Sequence, residues 1–210
     1  MTNFKTKLIS LALAACMLCT AAISVSAAEI NQSGGSGSTP VNLTTTNGGL
    51  NDDGSGGGAV TPTKLNVTVP TALPLAMSDD GTVVTADNCK IVNNSYGTVR
   101  VKTVTIAAAS DWNLTSFGDK TSLAGEKVDS NKLGFSLSIG GGKEVMTKGN
   151  AATQRLIASP MDGCYMTGVG DTANNSVAID YAAIVTPMSG AVNNSTIANV
   201  IFVIEWDLAE

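Results

Sequence analysis

From Lys64 onward, apolar and polar residues alternate with a period of two, and the apolar positions are rich in Val, Ile and Leu. This period is typical of half-buried strands, because successive side chains of a strand point to opposite faces. Clusters of Gly, Asn, Asp and Ser separate the alternating segments and indicate turns. Strands are predicted over residues 64–69, 82–85, 89–92, 98–107, 112–117, 133–139, 177–185 and 197–208.

Two of these segments depart from simple alternation. In 98–107 the apolar parity changes, which predicts a one-residue bulge near Lys102–Thr103 that keeps all the apolar side chains on one face. The last segment, 197–208, is apolar on both faces and is therefore expected at the centre of its sheet or under a covering loop. In 133–139 the residues expected to face outward are Gly134, Ser136 and Ser138. Helical periodicity is nearly absent, with one short helix at best over residues 150–157.

This succession of short strands predicts an all-β fold, an antiparallel β-sandwich of immunoglobulin-like or jelly-roll-like type over residues 63–210. Residues 29–62 differ in composition, with Gly and Ser runs that bury too little apolar surface to offset the entropy of ordering. We expect them to form a disordered, flexible tether ahead of the sandwich.

Residues 1–28 have the three parts of a secretory signal peptide. Lys5 and Lys7 precede an apolar run over 8–23, and small residues follow for cleavage after Ala27 or Ala28. Lipidation at Cys16, within Leu-Ala-Ala-Cys, stays open as an alternative. We expect a secreted, extracellular protein with no membrane segment after signal cleavage.

Two cysteines, Cys89 and Cys164, remain after that cleavage. An even pair in an oxidising compartment favours a disulfide, which would close a loop of about 75 residues. Two separate buried thiols are the alternative.

Charge and composition narrow the chemistry. The chain has 12 basic and 17 acidic residues, a formal net charge of −5, and no histidine. The acidic balance argues against nucleic-acid binding, and the lack of histidine removes Ser-His and Cys-His nucleophile pairs and His-ligated metals. We expect no catalytic residues, no metal and no cofactor. An enzyme using turn carboxylates such as Asp79, Asp80, Asp171 or Asp180 is the least favoured alternative.

Both tryptophans of the chain lie in the same local frame, Trp112-Asn113-Leu114 and Trp206-Asp207-Leu208. Strand geometry places Trp and Leu of each motif on one face. The pair resembles the WxL domain of Gram-positive surface proteins, whose distal motif also lies near the chain end. The chain also resembles small exported β proteins of clostridia in Val69-Pro70 and in the turn over 93–97.

The WxL resemblance implies a cell-wall-associated protein held non-covalently on peptidoglycan. It also implies ligand contacts by Trp112, Leu114, Trp206 and Leu208. The alternative role for the two indoles is to plug the ends of the sandwich core, and the two roles are compatible.

We therefore expect a secreted, non-catalytic cell-surface module that attaches to peptidoglycan or to a surface partner protein. The alternative is a structural subunit of a surface layer or fibre. In that alternative, an N-terminal segment containing Val41-Asn42-Leu43 adds as a strand to an open edge, such as Lys64–Val69, of the next copy. Self-association in general is left open.

Overall fold

The computed structural model describes residues 64–209, and the predicted signal peptide (1–28) and tether (29–62) lie outside this range. Within it the chain forms twelve strands and one short 3₁₀ helix, Lys120–Leu123. The strands are β1 Val67–Thr68, β2 Leu75–Met77, β3 Val83–Thr85, β4 Lys90–Asn93, β5 Val99–Ala108, β6 Asn113–Thr115, β7 Lys132–Ile139, β8 Val145–Met146, β9 Thr153–Ile157, β10 Tyr165–Met166, β11 Ser176–Val185 and β12 Ala198–Trp206. No helix in this part of the chain is long and apolar enough to cross a lipid bilayer.

The strands form two main sheets and one small hairpin. The first sheet has the order β1-β4-β11-β7-β6, with β8 also pairing with β7, and the second has the order β10-β5-β12, with β9 also pairing with β5. Strands β2 and β3 pair separately. All pairs are antiparallel except β6 with β7, which run parallel. The predicted all-β, antiparallel fold is confirmed.

One apolar core lies between the two main sheets. Alternate residues of each sheet point into it, as the period-two pattern requires. The first sheet contributes Ile91, Leu133, Phe135, Leu137, Ile139, Val177, Ile179 and Tyr181, and the second Val99, Val101, Val104, Ile106, Ile157 and Met166. Two sheets that share one core in this way form a β-sandwich.

The β2–β3 hairpin is attached to the sandwich by the hydroxyl of Tyr181 on β11. This hydroxyl donates a hydrogen bond to the carbonyl of Pro74 (2.8 Å) and accepts one from the amide of Ala86 (3.2 Å). The residue before β2 and the residue after β3 are therefore both held by one side chain of the first sheet.

The predicted bulge in β5 is confirmed. Val203 of β12 pairs with Thr103, but the next residue, Ile204, pairs with Val101, so Lys102 is the extra residue. The bulge restores the parity of β5, and its apolar residues on both sides of the bulge are fully buried.

The expected central position of the last strand is wrong. Within residues 64–209, β12 pairs with β5 alone and ends its sheet. Ile201 is 50% exposed and Val203 is 44% exposed. Only the opposite face of β12, with Val200 and Phe202, packs against the core. The apolar residues on both faces therefore do not reflect burial on both faces.

Two further expectations about local structure are corrected. Residues 153–157 form strand β9, and not a helix, because they pair with β5 from Val104 to Ala107. Gly134 and Ser136 are buried although they point away from the core. Gly134 is buried because Ile184 and the backbone of Ser116 pack directly against it. A Cβ atom at this position would lie 2.6 Å from Ile184 Cγ1 and 2.9 Å from the Ser116 carbonyl oxygen.

The expected disulfide is also corrected, because Cys89 and Cys164 are free thiols. Cys89 lies just before β4 in the first sheet, where its carbonyl accepts from the amide of Ile179 (2.8 Å). Cys164 lies just before β10 in the second sheet, where its carbonyl accepts from the amide of Val101 (2.9 Å). Each cysteine is thus fixed by the ladder of a different sheet, and burial raises the pKa of the Cys164 thiol.

Candidate ligand-binding cleft at Trp206

The structure does not bring the two Trp-x-Leu motifs together. Trp206 ends β12 and pairs with Val99, the first residue of β5. Trp112 follows the other end of β5, where its amide donates to the carbonyl of Ala109 (2.9 Å). Because β5 has 10 residues, the two indoles are separated by roughly 30 Å along the strand. They cannot form one binding site.

The first motif is part of the core. Leu114 has no exposed surface, and it pairs with Leu133 in the first sheet. Trp112 is half-buried and packs against the core cluster. The expected ligand contact by Leu114 is therefore corrected, because a fully buried side chain cannot reach a ligand in this fold. The packing of Trp112 is consistent with the role of closing one end of the core, and its ligand contact stays a prediction.

The second motif lines a cleft. A shallow cleft of about 350 Å³, open to solvent, lies at the end of β12, and it is lined by Tyr96, Gly97, Thr98, Trp206, Asp207 and Leu208. Tyr96 is 85% exposed and Leu208 is 72% exposed, whereas Trp206 is half-buried. The lining is mainly apolar, and Asp207 is the acidic residue in it. We call this feature the Tyr96–Trp206 cleft.

The turn between β4 and β5 positions Tyr96, and the buried side chain of Asn93 fixes that turn. The Asn93 amide donates to the carbonyls of Gly97 (2.8 Å) and Thr167 (2.7 Å), and its side-chain oxygen accepts from the amide of Ser95 (2.9 Å). An Asn side chain that replaces backbone partners in this way is a common means of stabilising a turn. Tyr96 therefore projects from a well-anchored turn.

Gly97 allows the indole to pack directly on the backbone of this turn. A Cβ atom at this position would lie 3.0 Å from Cζ3 of Trp206 and 3.5 Å from Cε3. Any side chain at 97 would push against the ring, so the glycine helps to set the position of Trp206 in the cleft wall.

An ion-pair network lies beside the cleft. Arg100 on β5 contacts Glu205 (2.9 Å) and Asp207 (3.3 Å), and Lys102 contacts the second oxygen of Glu205 (2.7 Å). Hydrogen bonds from Lys102 and Arg100 lower the pKa of Glu205, and the hydrogen bond to Glu205 raises the pKa of Arg100. Glu205, which precedes Trp206, is thus held ionised by partners on the neighbouring strand, and Asp207, which follows Trp206, is paired with Arg100.

Two of the four aspartates considered as candidate acids, Asp80 and Asp171, have structural partners. Asp80 accepts hydrogen bonds from the amide and the hydroxyl of Thr82 and from Lys120, and the bonds from Thr82 contribute most to lowering its pKa to about 2. Asp171 accepts from the side chain of Asn174, which lowers its pKa as well. Both carboxylates stabilise turns. Among residues 64–209 there is no group of three or more Cys, Asp or Glu side chains placed to hold a metal ion.

Sequence reasoning identified Trp206 and Leu208 but not Tyr96 as part of this site. For residues 93–97, which include Tyr96, the sequence predicts a turn and a resemblance to exported clostridial proteins, but no ligand contact. The feature of the sequence that could have identified Tyr96 as a site residue is the position of an aromatic side chain at the tip of a short polar turn, where burial is not expected. Its proximity to Trp206 follows from the pairing of β5 with β12, which the pattern alone does not specify.

No protein-family model, curated protein or solved structure matches this chain. The resemblance to the WxL domain therefore stays a prediction from the two tryptophan motifs, and the site is interpreted from its own geometry.

Proposed function

We propose that this protein is a secreted, non-catalytic β-sandwich module of WxL-domain type. In this proposal it attaches non-covalently to the bacterial cell surface, on peptidoglycan or on a surface partner protein, through the Tyr96–Trp206 cleft. The observation that supports the proposal is the grouping of Tyr96, Trp206 and Leu208, with two of these side chains largely exposed, around one cleft.

The chemistry of the cleft suits a ligand with both apolar and polar faces. An aromatic ring offers a flat apolar surface, and the Tyr hydroxyl and Trp N–H add polar contacts at the ring edge. Sugar rings of a wall glycan carry C–H groups on one face and hydroxyls at their edges, so they can stack on Tyr96 and hydrogen-bond to Asp207.

The non-catalytic part of the proposal is supported by the state of the nearby charged groups. Asp207, the carboxylate in the cleft wall, is paired with Arg100. A general acid needs a carboxyl group that is protonated at working pH, which requires a raised pKa. The neighbouring Glu205 instead has a lowered pKa, and the chain has no histidine to act as a base.

Sedimentation of the mature protein with purified peptidoglycan tests this function. Tyr96→Ala is the most direct variant, because this side chain is 85% exposed and its loss should leave the fold intact. The matched control is Tyr165→Ala, which removes a 47% exposed tyrosine outside the cleft. We expect the wild type and the control to pellet with the wall fraction and Tyr96→Ala to remain mostly in the supernatant.

Two outcomes would reject the proposal for peptidoglycan. One is a wild-type protein that stays in the supernatant, and the other is a Tyr96→Ala variant that pellets like the wild type. Trp206→Ala is a secondary variant and requires a check by circular dichroism, because Trp206 also packs against the core.

The alternative function, a subunit that assembles by strand addition, depends on an open edge strand. The edge expected from the sequence, Lys64–Val69, contains only the two-residue strand β1, which is too short to guide another strand. The proposed donor, Val41-Asn42-Leu43, lies outside the described residues. A different edge, that of β12, supports strand pairing instead.

A further inference from the structure

Strand β12 has an unguarded edge. It is 9 residues long, and in the part of the chain that the structure describes only β5 pairs with it. Ala198–Ile204 are seven consecutive uncharged residues without proline. Proteins usually protect such edges with lysine, proline or a bulge. The bulge in this pair lies on β5, at Lys102, so β12 itself remains regular.

The hydrogen bonds at the two ends of β12 show which backbone groups are open. The carbonyl of Ile197 accepts from Ala109 (2.9 Å), and the amide of Asp207 donates to Thr98 (3.1 Å). Both are odd-numbered residues directed at β5, and backbone groups alternate in direction along an antiparallel strand. The even-numbered residues Ala198, Val200, Phe202 and Ile204 therefore direct their N–H and C=O groups to the open side.

The side chains beside this edge are apolar. Ile201 and Val203 lie on the outer face and are about half exposed. The charged residue of the strand, Glu205, is neutralised by Arg100 and Lys102. Among residues 64–209, the edge thus has unpaired backbone groups and an apolar surface without repulsive charge.

We propose that two copies of this protein pair antiparallel through their β12 strands, around a two-fold axis at Phe202. In this register each Ile201 faces Val203 of the other copy, and Val200 faces Ile204. Asn199, whose side chain is exposed, faces Glu205, so an amide donor meets a carboxylate. The open backbone groups of Val200, Phe202 and Ile204 match each other across the axis.

The two adjacent registers, with the axis at Ile201 or at Val203, keep the same facing of side chains but fit less well. An axis at Ile201 places the polar Asn199 against the apolar Val203, and an axis at Val203 places Ile201 against Glu205. Cross-strand pairs of like polarity stabilise a sheet, whereas mismatched pairs do not. Of these three registers, the one centred on Phe202 is best matched, and this self-complementarity is why a second copy is the occupant that we propose.

Analytical ultracentrifugation of the mature protein over a concentration series, with a reducing agent to exclude disulfide-linked dimers, tests the proposal. Ile201→Lys adds a charge at the centre of the edge, and the matched control is Val84→Lys, at a 56% exposed valine on β3. We expect a monomer–dimer equilibrium for the wild type and the control. The dissociation constant of Ile201→Lys should rise by about tenfold or more.

Amide hydrogen exchange supplies the readout of register. The amides of Val200, Phe202 and Ile204 should become protected as the protein concentration rises. The amides of Ile201 and Val203, which face β5, should be protected at every concentration.

A wild-type protein that stays monomeric at the highest concentration overturns the proposal. A monomer whose Val200, Phe202 and Ile204 amides are protected also overturns it, since another segment of the same chain then covers the edge. A dimer that Ile201→Lys does not weaken contradicts the interface. None of these results depends on the Tyr96–Trp206 cleft, so the proposed function is tested separately.

Discussion

At the residue scale, Asn93 connects the core to the proposed ligand site. Its side chain has no exposed surface, and it makes three hydrogen bonds to the backbone at Ser95, Gly97 and Thr167. A buried backbone group that loses its partner costs about 1–3 kcal/mol. This residue therefore determines both the stability of the turn and the position of Tyr96.

We expect Asn93→Ala to lower the free energy of unfolding by about 2–4 kcal/mol, because it leaves one buried and two partly buried backbone groups without a partner. Urea denaturation followed by circular dichroism measures this change. The control is Asn94→Ala, which removes an exposed hydrogen bond to Thr68 and should cost about 0.5 kcal/mol or less. Equal effects of the two variants would contradict the role given to Asn93.

At the element scale, the sequence predicts where strands lie along the chain better than it predicts which strands pair with each other in a sheet. The parity change in β5 revealed its bulge because burial of alternate residues leaves a direct trace in the pattern. For β12, burial on both faces was inferred from apolar residues on both faces, and this inference was wrong. Apolar residues favour a strand and can be buried, but they do not show that another layer covers them. Strand β9 was missed because its residues, Thr-Gln-Arg-Leu-Ile, are fixed by pairing with β5 and not by local propensity.

The tight packing of Ile184 and Ser116 against Gly134 of β7 gives a prediction at the element scale. Gly134→Ala should lower the free energy of unfolding by about 1–3 kcal/mol, because the new methyl group meets Ile184 at 2.6 Å and the Ser116 carbonyl oxygen at 2.9 Å. The Ile184 side chain can rotate, but the backbone oxygen cannot easily move.

Ser138→Ala is the matched control, since Ser138 lies on the same face of β7 and is only half-buried. Its cost should stay within about 0.5 kcal/mol. Urea denaturation measures both variants, and, where their m-values are equal, the difference between the midpoints gives the difference in the free energy of unfolding. A Gly134→Ala protein as stable as the wild type would show that the chain after β6 does not press on β7.

At the scale of the whole molecule, the site was predictable only in part. Trp206 and Leu208 stood out by their motif, but the motif also pointed to Leu114, which is a core residue. The distance between the two tryptophans is set by the length of β5, and the partner of Trp206 in the cleft, Tyr96, comes from a different turn. Such proximity depends on sheet topology, which alternation does not encode.

The charge distribution of the whole molecule makes a final prediction, for stability as a function of pH. Hydrogen bonds to Lys102 and Arg100 lower the pKa of Glu205 from 4.5, and that of Asp80 is lowered from 3.8 to about 2. A carboxyl group with a lowered pKa in the folded state stabilises the protein above its unfolded pKa, and this stabilisation is lost as the pH falls through the folded pKa. With no histidine in the chain, few side chains titrate between about pH 5 and 8. The melting temperature should therefore be nearly constant over that range and fall steadily from about pH 4.5 toward pH 2.

Calorimetry at fixed ionic strength measures the melting temperature, and Glu205→Gln should show a lower plateau with a smaller acid-induced decrease. A wild-type melting temperature that rises on acidification, or that changes strongly between pH 5 and 8, would show that these ion pairs do not govern the pH response.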